Sequence, residues 1–185
     1  MKIRQIFTLI ISLWLFTAAT SFAAEDVNTE APRDPYKFFF NETWGDFKEE
    51  LANAKAQGKE GIFIFFEMDE CPFCHFMKKN VLNQKVVQDY YRKNFLNFVV
   101  DIEGDLLIKN MQGKSMKQKE FSVLENRVRA TPVMAFFNFD GKRIFRYTGK
   151  ASGVDEFLLM GKFVKNKLYT KTSFTRYKRQ QRKNK

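Results

Sequence analysis

The stretch Cys71-Pro72-Phe73-Cys74-His75 is the part of this sequence best suited to chemistry. It holds the chain's two cysteines, three positions apart, and its single histidine. A disulfide across so short a span closes almost no loop, so it would add little stability by restraining the unfolded chain. Such a pair is expected to be kept for its reactivity. Its neighbours say where it sits. Gly61 to Glu67 (Gly-Ile-Phe-Ile-Phe-Phe-Glu) is a continuous apolar run that suits a strand buried on both faces. Met68 to Cys71 then reads as a loop. Pro72 fits the first turn of a helix, where its missing N–H costs nothing. A cysteine at that helix start meets unpaired backbone N–H groups and the positive end of the helix dipole, and both favour the thiolate. The thiolate is the form that attacks disulfides. Cys74 lies nearly one turn later on the same side and can attack a mixed disulfide formed at Cys71.

Two other chemistries use the same spacing. C-x-x-C is half of a zinc site, but the sequence has no second ligand pair, and no metal is expected. C-x-x-C-H is also the attachment motif of c-type haem, which keeps a haem-carrying electron-transfer protein open as an alternative. Against it stands the context, a buried strand leading into the motif and a strand–hairpin–helix unit closing the chain. Under the dithiol reading no cofactor is expected.

The remaining elements follow from periodicity and turn residues. Asn41 can cap a helix carrying Trp44, Phe47, Leu51 and Ala54, with Gly58 ending it. The cysteine helix runs through Met77 and Val81, and a second helical stretch covers Val86 to Phe95. Leu96 to Ile102 is a second strand. Glu103 to Lys119 is polar and reads as an insertion, followed by a short helix with Phe121, Leu124 and Val128. Val133 to Asn138 is a third strand, Asp140-Gly141 a hairpin turn, and Arg143 to Tyr147 the returning strand. Gly153 leads into a last helix with Phe157, Met160, Val164 and Leu168. With 22 phenylalanines among 185 residues, the core should be phenylalanine-rich.

With these elements in place, a family resemblance becomes specific. Phe65-Phe66-Glu67, Cys71-Pro72-Phe73-Cys74, Thr131-Pro132, Phe136 to Gly141 and Arg146 to Gly149 resemble the thioredoxin superfamily, and within it the periplasmic SoxW-type thioredoxin-like proteins. Phe157 to Tyr169 matches more loosely. The resemblance implies an α/β thioredoxin-like fold, a central mixed sheet of about four strands with helices on both faces. It implies that Cys71 and Cys74 are the catalytic pair and form the redox disulfide. It implies a cis Pro132 facing them, so that Thr131, Pro132, Pro72 and Phe73 line a substrate groove and the Thr131 backbone pairs with an extended substrate. The plainer reading is that Pro132 starts a strand. The sequence departs from the family pattern twice. Thioredoxins usually carry a buried Asp where this chain has Phe65. Glu67 is the nearest carboxylate on that strand, and either it moves protons for Cys74 or it ends the strand at the surface. Phe73 stands beside the second cysteine, as in the Cys-Pro-aromatic-Cys of glutaredoxins, and the direction of electron flow stays open.

Charge and hydropathy divide the chain further. Lys2 and Arg4 precede an uncharged apolar run from Ile6 to Ala19, and Ser21-Phe22-Ala23 supplies small residues for cleavage. Residues 1–23 are expected to be an export signal. The run is short for a membrane span, which needs about 20 residues, and an uncleaved anchor is the competing reading. Residues 24–35 read as a flexible leader, 36–169 as the thioredoxin-like domain and 170–185 as a basic tail. The net charge of +11 is concentrated there: Lys162 to Lys185 holds ten Lys or Arg and no Asp or Glu. The rest of the domain is near neutral. Nucleic acid is not an expected partner of an exported chain. The basic tail admits a weak contact with anionic membrane or with an acidic partner. The leading expectation is a periplasmic dithiol reductase acting on disulfides of other exported proteins. The resemblance implies recharging by a membrane thiol carrier of the DsbD/CcdA type. A disulfide oxidant or isomerase is the alternative within the same chemistry.

Overall fold

The computed structural model describes residues 31–183. The expected export signal, residues 1–23, and the leader as far as residue 30 lie outside the described residues. The buried run around Phe65 forms β1 (Ile62–Glu67), in the interior of a four-stranded sheet. Its neighbours are β2 (Leu96–Asp101), which runs parallel to it, and β5 (Val133–Phe137), which runs antiparallel. β6 (Arg143–Thr148) pairs antiparallel with β5 and completes the order β2-β1-β5-β6. This is a mixed α/β sheet of the expected kind.

Side chains alternate across a strand, so each central strand supplies two cores. Phe63, Phe65, Met134 and Phe136 face one, and Ile62, Ile64, Phe66, Val133, Ala135 and Phe137 face the other. The first core is covered by α3 (Pro72–Met77), which continues through a π-helical turn at Lys78–Leu82, by α4 (Lys85–Asn94) and by α6 (Val154–Lys165). Tyr91 joins these layers. Its ring stacks on Phe157 at 4.3 Å, and its hydroxyl donates to the Phe157 carbonyl at 2.7 Å. α4 and α6 approach closely at Gly161, where a Cβ would meet the Tyr90 ring at 2.8 Å. The second core is covered by α2 (Phe47–Ala56), through Phe47, Leu51 and Ala54, and by Phe121. Helices therefore lie on both faces, and the interior is rich in phenylalanine, as expected.

Several boundaries differ from the sequence reading. The helix expected from Asn41 begins only at Phe47, where the Asp46 carboxylate accepts the Glu49 N–H at 3.1 Å. Gly45, with φ of +82°, interrupts the helical run and packs where a Cβ would lie 2.8 Å from Ile108. Trp44 is left fully exposed, and Asn41 instead bonds Asn97 at the end of the sheet. The insertion contains a hairpin, β3 (Leu107–Lys109) with β4 (Ser115–Lys117), anchored by buried Ile108 and Met111. α5 (Gln118–Glu120) follows and continues into a π-helical turn at Phe121–Glu125. Phe121 is buried in it, while Leu124 is exposed.

Both ends of the domain are held more firmly than expected. The described end of the leader, residues 31–35, is fixed by Arg33, whose N–H donates to the Asn83 carbonyl at 2.8 Å and whose guanidinium reaches Gln88 at 2.7 Å. α1 (Pro35–Phe38) follows, capped by Asp34. α6 ends at Lys165, so Leu168 sits in a separate short turn, Leu168–Thr170. The segment read as a basic tail contains α7 (Phe174–Lys183). Phe174 is buried against Phe145, Tyr147 and Phe163, with ring centroids 5.4 to 5.9 Å apart. Tyr177, three residues on and on the same helix face, lies 5.5 Å from Phe163. These two rings cover β6 and α6, and the folded unit extends to Lys183. Among the described residues no helix is long and apolar enough to cross a membrane.

Candidate active site

Cys71 is the N-cap of α3, and Pro72 opens the helix at its first position. Cys71 Sγ accepts the backbone N–H of Cys74 at 3.1 Å, as a capping side chain does. The two sulfurs are bonded, with Cα atoms 5.2 Å apart. Cys71 is 4 % exposed and Cys74 fully buried, so access to the pair is through Cys71. Phe73 projects outward and is 53 % exposed. Between Phe73 and Phe76 sits the Lys150 ammonium, 4.1 Å from the Phe76 ring centre and 5.9 Å from that of Phe73. A cation over an aromatic face is attracted by the ring quadrupole.

The sheet register brings the second expected component alongside. β5 runs antiparallel to β1 with Val133 opposite Phe66, so Pro132 comes level with Glu67, four residues before Cys71. The Thr131–Pro132 bond is cis. Pro132 is buried, and its carbonyl accepts the Gly149 N–H at 2.9 Å. The loop after β6 then returns to the cysteine helix, where the Ala151 N–H lies 3.3 Å from Met77 Sδ. Three loops and the start of α3 thus meet at one end of the sheet.

Phe65, at the position of the family's buried Asp, is wholly buried in the same cluster as both cysteines and Met77. Glu67 is two residues on and therefore on the same face of β1. Its carboxylate pairs with Lys78 at 2.8 Å and accepts the Tyr36 hydroxyl at 3.0 Å. Lys78 also donates to Tyr36 at 2.9 Å. Burial works to lower the Lys78 pKa, but its bonds to Glu67 and Tyr36 prevail and raise it. Burial, helped by the Glu67 charge, raises the Tyr36 hydroxyl against the opposing effect of Lys78. Among the described residues the polar partners of Glu67 are therefore Lys78 and Tyr36, not a cysteine. Lys78 is legible in principle, since it lies four residues after Cys74 and seven after Cys71 on one helix face. Tyr36 carries no such signal, because tertiary folding alone brings it there. His75 sits on α3 with Nε2 3.0 Å from the Asp69 carbonyl.

The profile of the thioredoxin-like domain family matches residues 47–165, more than half of the chain. The chain belongs to that family. Among solved structures, a putative disulphide-isomerase from Bacteroides thetaiotaomicron is 25% identical, over 78% of this chain and 98% of that one, with a TM-score of 0.54. A thioredoxin-fold protein from Helicobacter pylori is 21% identical, over 65% and 80% of the two chains, with a TM-score of 0.54. DsbH oxidoreductase is 20% identical, over 75% and 93%, with a TM-score of 0.53. Comparison with curated proteins gives no match. A thioredoxin-like domain with a bonded C-x-x-C pair at a helix start is a thiol–disulfide oxidoreductase. In this one, Phe65 is buried beside the cysteines where the resemblance implies an Asp, and the Glu67 carboxylate is held by Lys78 and Tyr36.

Proposed function

We propose that the chain is an exported dithiol reductase with Cys71 as nucleophile and Cys74 as resolving thiol. The observation that carries the reading is the cysteine pair itself, bonded across the N-cap of α3 with Cys71 the more accessible sulfur. In the reduced protein the Cys71 thiolate attacks a substrate disulfide. A mixed disulfide forms, and the substrate's other sulfur leaves as a thiolate and takes a proton. Cys74 loses its proton and attacks Cys71 Sγ, releasing the second substrate thiol. Two electrons have then passed to the substrate, and the Cys71–Cys74 disulfide is left behind. Thr131, Pro132, Pro72 and Phe73 form the groove in which an extended substrate lies. Glu67 is the carboxylate of β1 that would take the Cys74 proton if it leaves its partners Lys78 and Tyr36.

The reductive direction has a physical support. A strong oxidant needs a heavily stabilised thiolate in its reduced form. Asp69 and Glu70, the two residues before Cys71 in the sequence, are exposed acidic neighbours, and negative charge on this loop would work against such stabilisation. Electrons would be resupplied by a membrane thiol carrier of the DsbD/CcdA type. Export to the periplasm rests on the pattern of residues 1–23, and kinship with the SoxW-type proteins rests on the stretches from Phe65 to Gly149 that resemble them. The haem alternative has less behind it, because the family match spans the C-x-x-C-H motif.

Trapping tests the assignment. Cys74→Ala should still attack and then stay joined to its partners, giving mixed disulfides on non-reducing gels that vanish with reductant. Cys71→Ala should trap little. Equal trapping by both variants would reverse the order of attack, and no trapping by either folded variant would sink disulfide exchange. The trapped partners should be recovered from the periplasmic fraction; cytoplasmic partners would overturn export.

A further inference from the structure

α7 has two unlike faces. Phe174 and Tyr177 turn inward onto Phe145 and Phe163, and Lys178 is bound to Glu156 at 2.6 Å. The outward face carries Arg176, Arg179, Arg182 and Lys183, all exposed and spaced by three and four residues. Lys162, Lys167 and Lys171 add exposed charge on the chain leading into it. Among the described residues none of these seven forms an ion pair with a carboxylate. Like charges at these spacings repel one another, so docking the helix keeps an unfavourable array in place. No large apolar side chain is exposed on α7. A protein partner is typically gripped by a few anchors in desolvated pockets. A convex row of solvated guanidinium groups, with no apolar anchor beside it, suits a flat polyanionic surface instead.

We propose that this face of α7 docks the protein onto anionic phospholipid bilayers by charge alone, without insertion. The proposal does not depend on the redox assignment. It has a consequence for the site, because α7 is joined to the cysteine helix through one loop. Lys178 holds Glu156, Glu156 accepts the Ser152 N–H at 2.7 Å, and the adjacent Ala151 touches Met77. The contacts that seat the docking helix are thus continuous with the loop that packs on the cysteine helix.

All the contacts described lie between residues 31 and 183, so the chain beginning at Ala24 retains them and serves for the test. It should co-sediment with vesicles of phosphatidylcholine mixed with phosphatidylglycerol, not with pure phosphatidylcholine, and should be released by salt. Each Lys or Arg near an anionic leaflet strengthens binding about fivefold, so R176Q, R179Q and R182Q together should weaken it on the order of a hundredfold. Lys48, Lys55 and Lys93, exposed elsewhere, provide the control. Changing these three to Gln removes the same total charge and should weaken binding far less. Equal loss in the two triple variants, equal binding to both kinds of vesicle, or binding that salt does not weaken would overturn the proposal. So would binding to neither kind of vesicle, which would point to an acidic protein as the occupant.

Discussion

At the scale of single residues, the two cysteines differ in position more than in chemistry. Cys71 caps the helix and has the residual access, while Cys74 is wholly enclosed by apolar groups. Burial without charge partners raises a thiol pKa, and a helix N-terminus lowers it. In the reduced protein Cys71 should therefore be alkylated first, at a pH below the ordinary thiol value of about 8.5. Faster alkylation of Cys74 would contradict the roles of nucleophile and resolving thiol. Glu67 invites a second measurement. Glu67→Gln leaves the half-buried Lys78 ammonium without its counter-charge, at a cost of about 1–3 kcal/mol in urea unfolding. If Glu67 also takes the Cys74 proton, the resolving step should slow by on the order of a hundredfold. A destabilised variant that resolves at the normal rate would leave Glu67 as a structural anchor. The cysteines, Pro132 and Phe73 can all be picked out in the sequence, because their motifs are local. Glu67 and Lys78 are legible singly, but their bonding to Tyr36 is not, because the three come from separate segments that only the fold brings together.

At the scale of elements, the strands are the most legible parts. The segments of β1, β2, β5 and β6 are short and bounded by turn residues, and each begins and ends within one residue of its expected limit, whereas β3 and β4, three residues each inside a polar stretch, give no such signal. The start of α2 is misread because Trp44 falls on the helical period of Phe47 and Leu51, whereas the backbone at Gly45 breaks that period. α7 is hidden for another reason. Its cations dominate the composition, and two aromatic rings suffice to dock it. Phe174→Ala should therefore cost about 3 kcal/mol, measured by denaturant melts, despite lying in what reads as a solvated tail. The α7 latch is also sensitive to acid. Burial opposes ionisation of Glu156, which is only 7 % exposed, yet hydrogen bonds from Lys178 and Ser152 prevail and hold its pKa at about 2, against an ordinary 4.5. A folded-state pKa below the unfolded one stabilises the fold above about pH 4.5, and that contribution fades as the pH falls toward 2. The NMR signals of the Phe174 and Tyr177 rings should then report loosening of α7 across that interval. In Glu156→Gln the acid-dependent change should disappear; if it persists, another carboxylate controls the latch.

At the scale of the whole molecule, the chemistry sits at one end of the sheet and the basic helix on the flank of α6, so the two should separate experimentally. Removing the chain beyond Lys171 uncovers Phe145, Tyr147 and Phe163 and should lower the melting temperature by several degrees, as the loss of a few kcal/mol does in a domain of this size. Reduction of insulin by the truncated protein, assayed well below that temperature, should persist. Loss of activity with the fold intact would make α7 part of the site. A last consequence follows from the disulfide closing only a three-residue step at the N-cap. So small a ring hardly restricts the unfolded chain. Any difference in unfolding free energy between the oxidised and reduced proteins therefore records how far the fold itself prefers the bond or the thiols. Around the thermodynamic cycle, that difference equals the gap between the reduction potentials of the pair in the folded and unfolded chain, about 30 mV for each 1.4 kcal/mol. A pair of melting curves thus works as a voltmeter: an oxidised form that melts higher marks an electron donor, and the opposite order marks an acceptor.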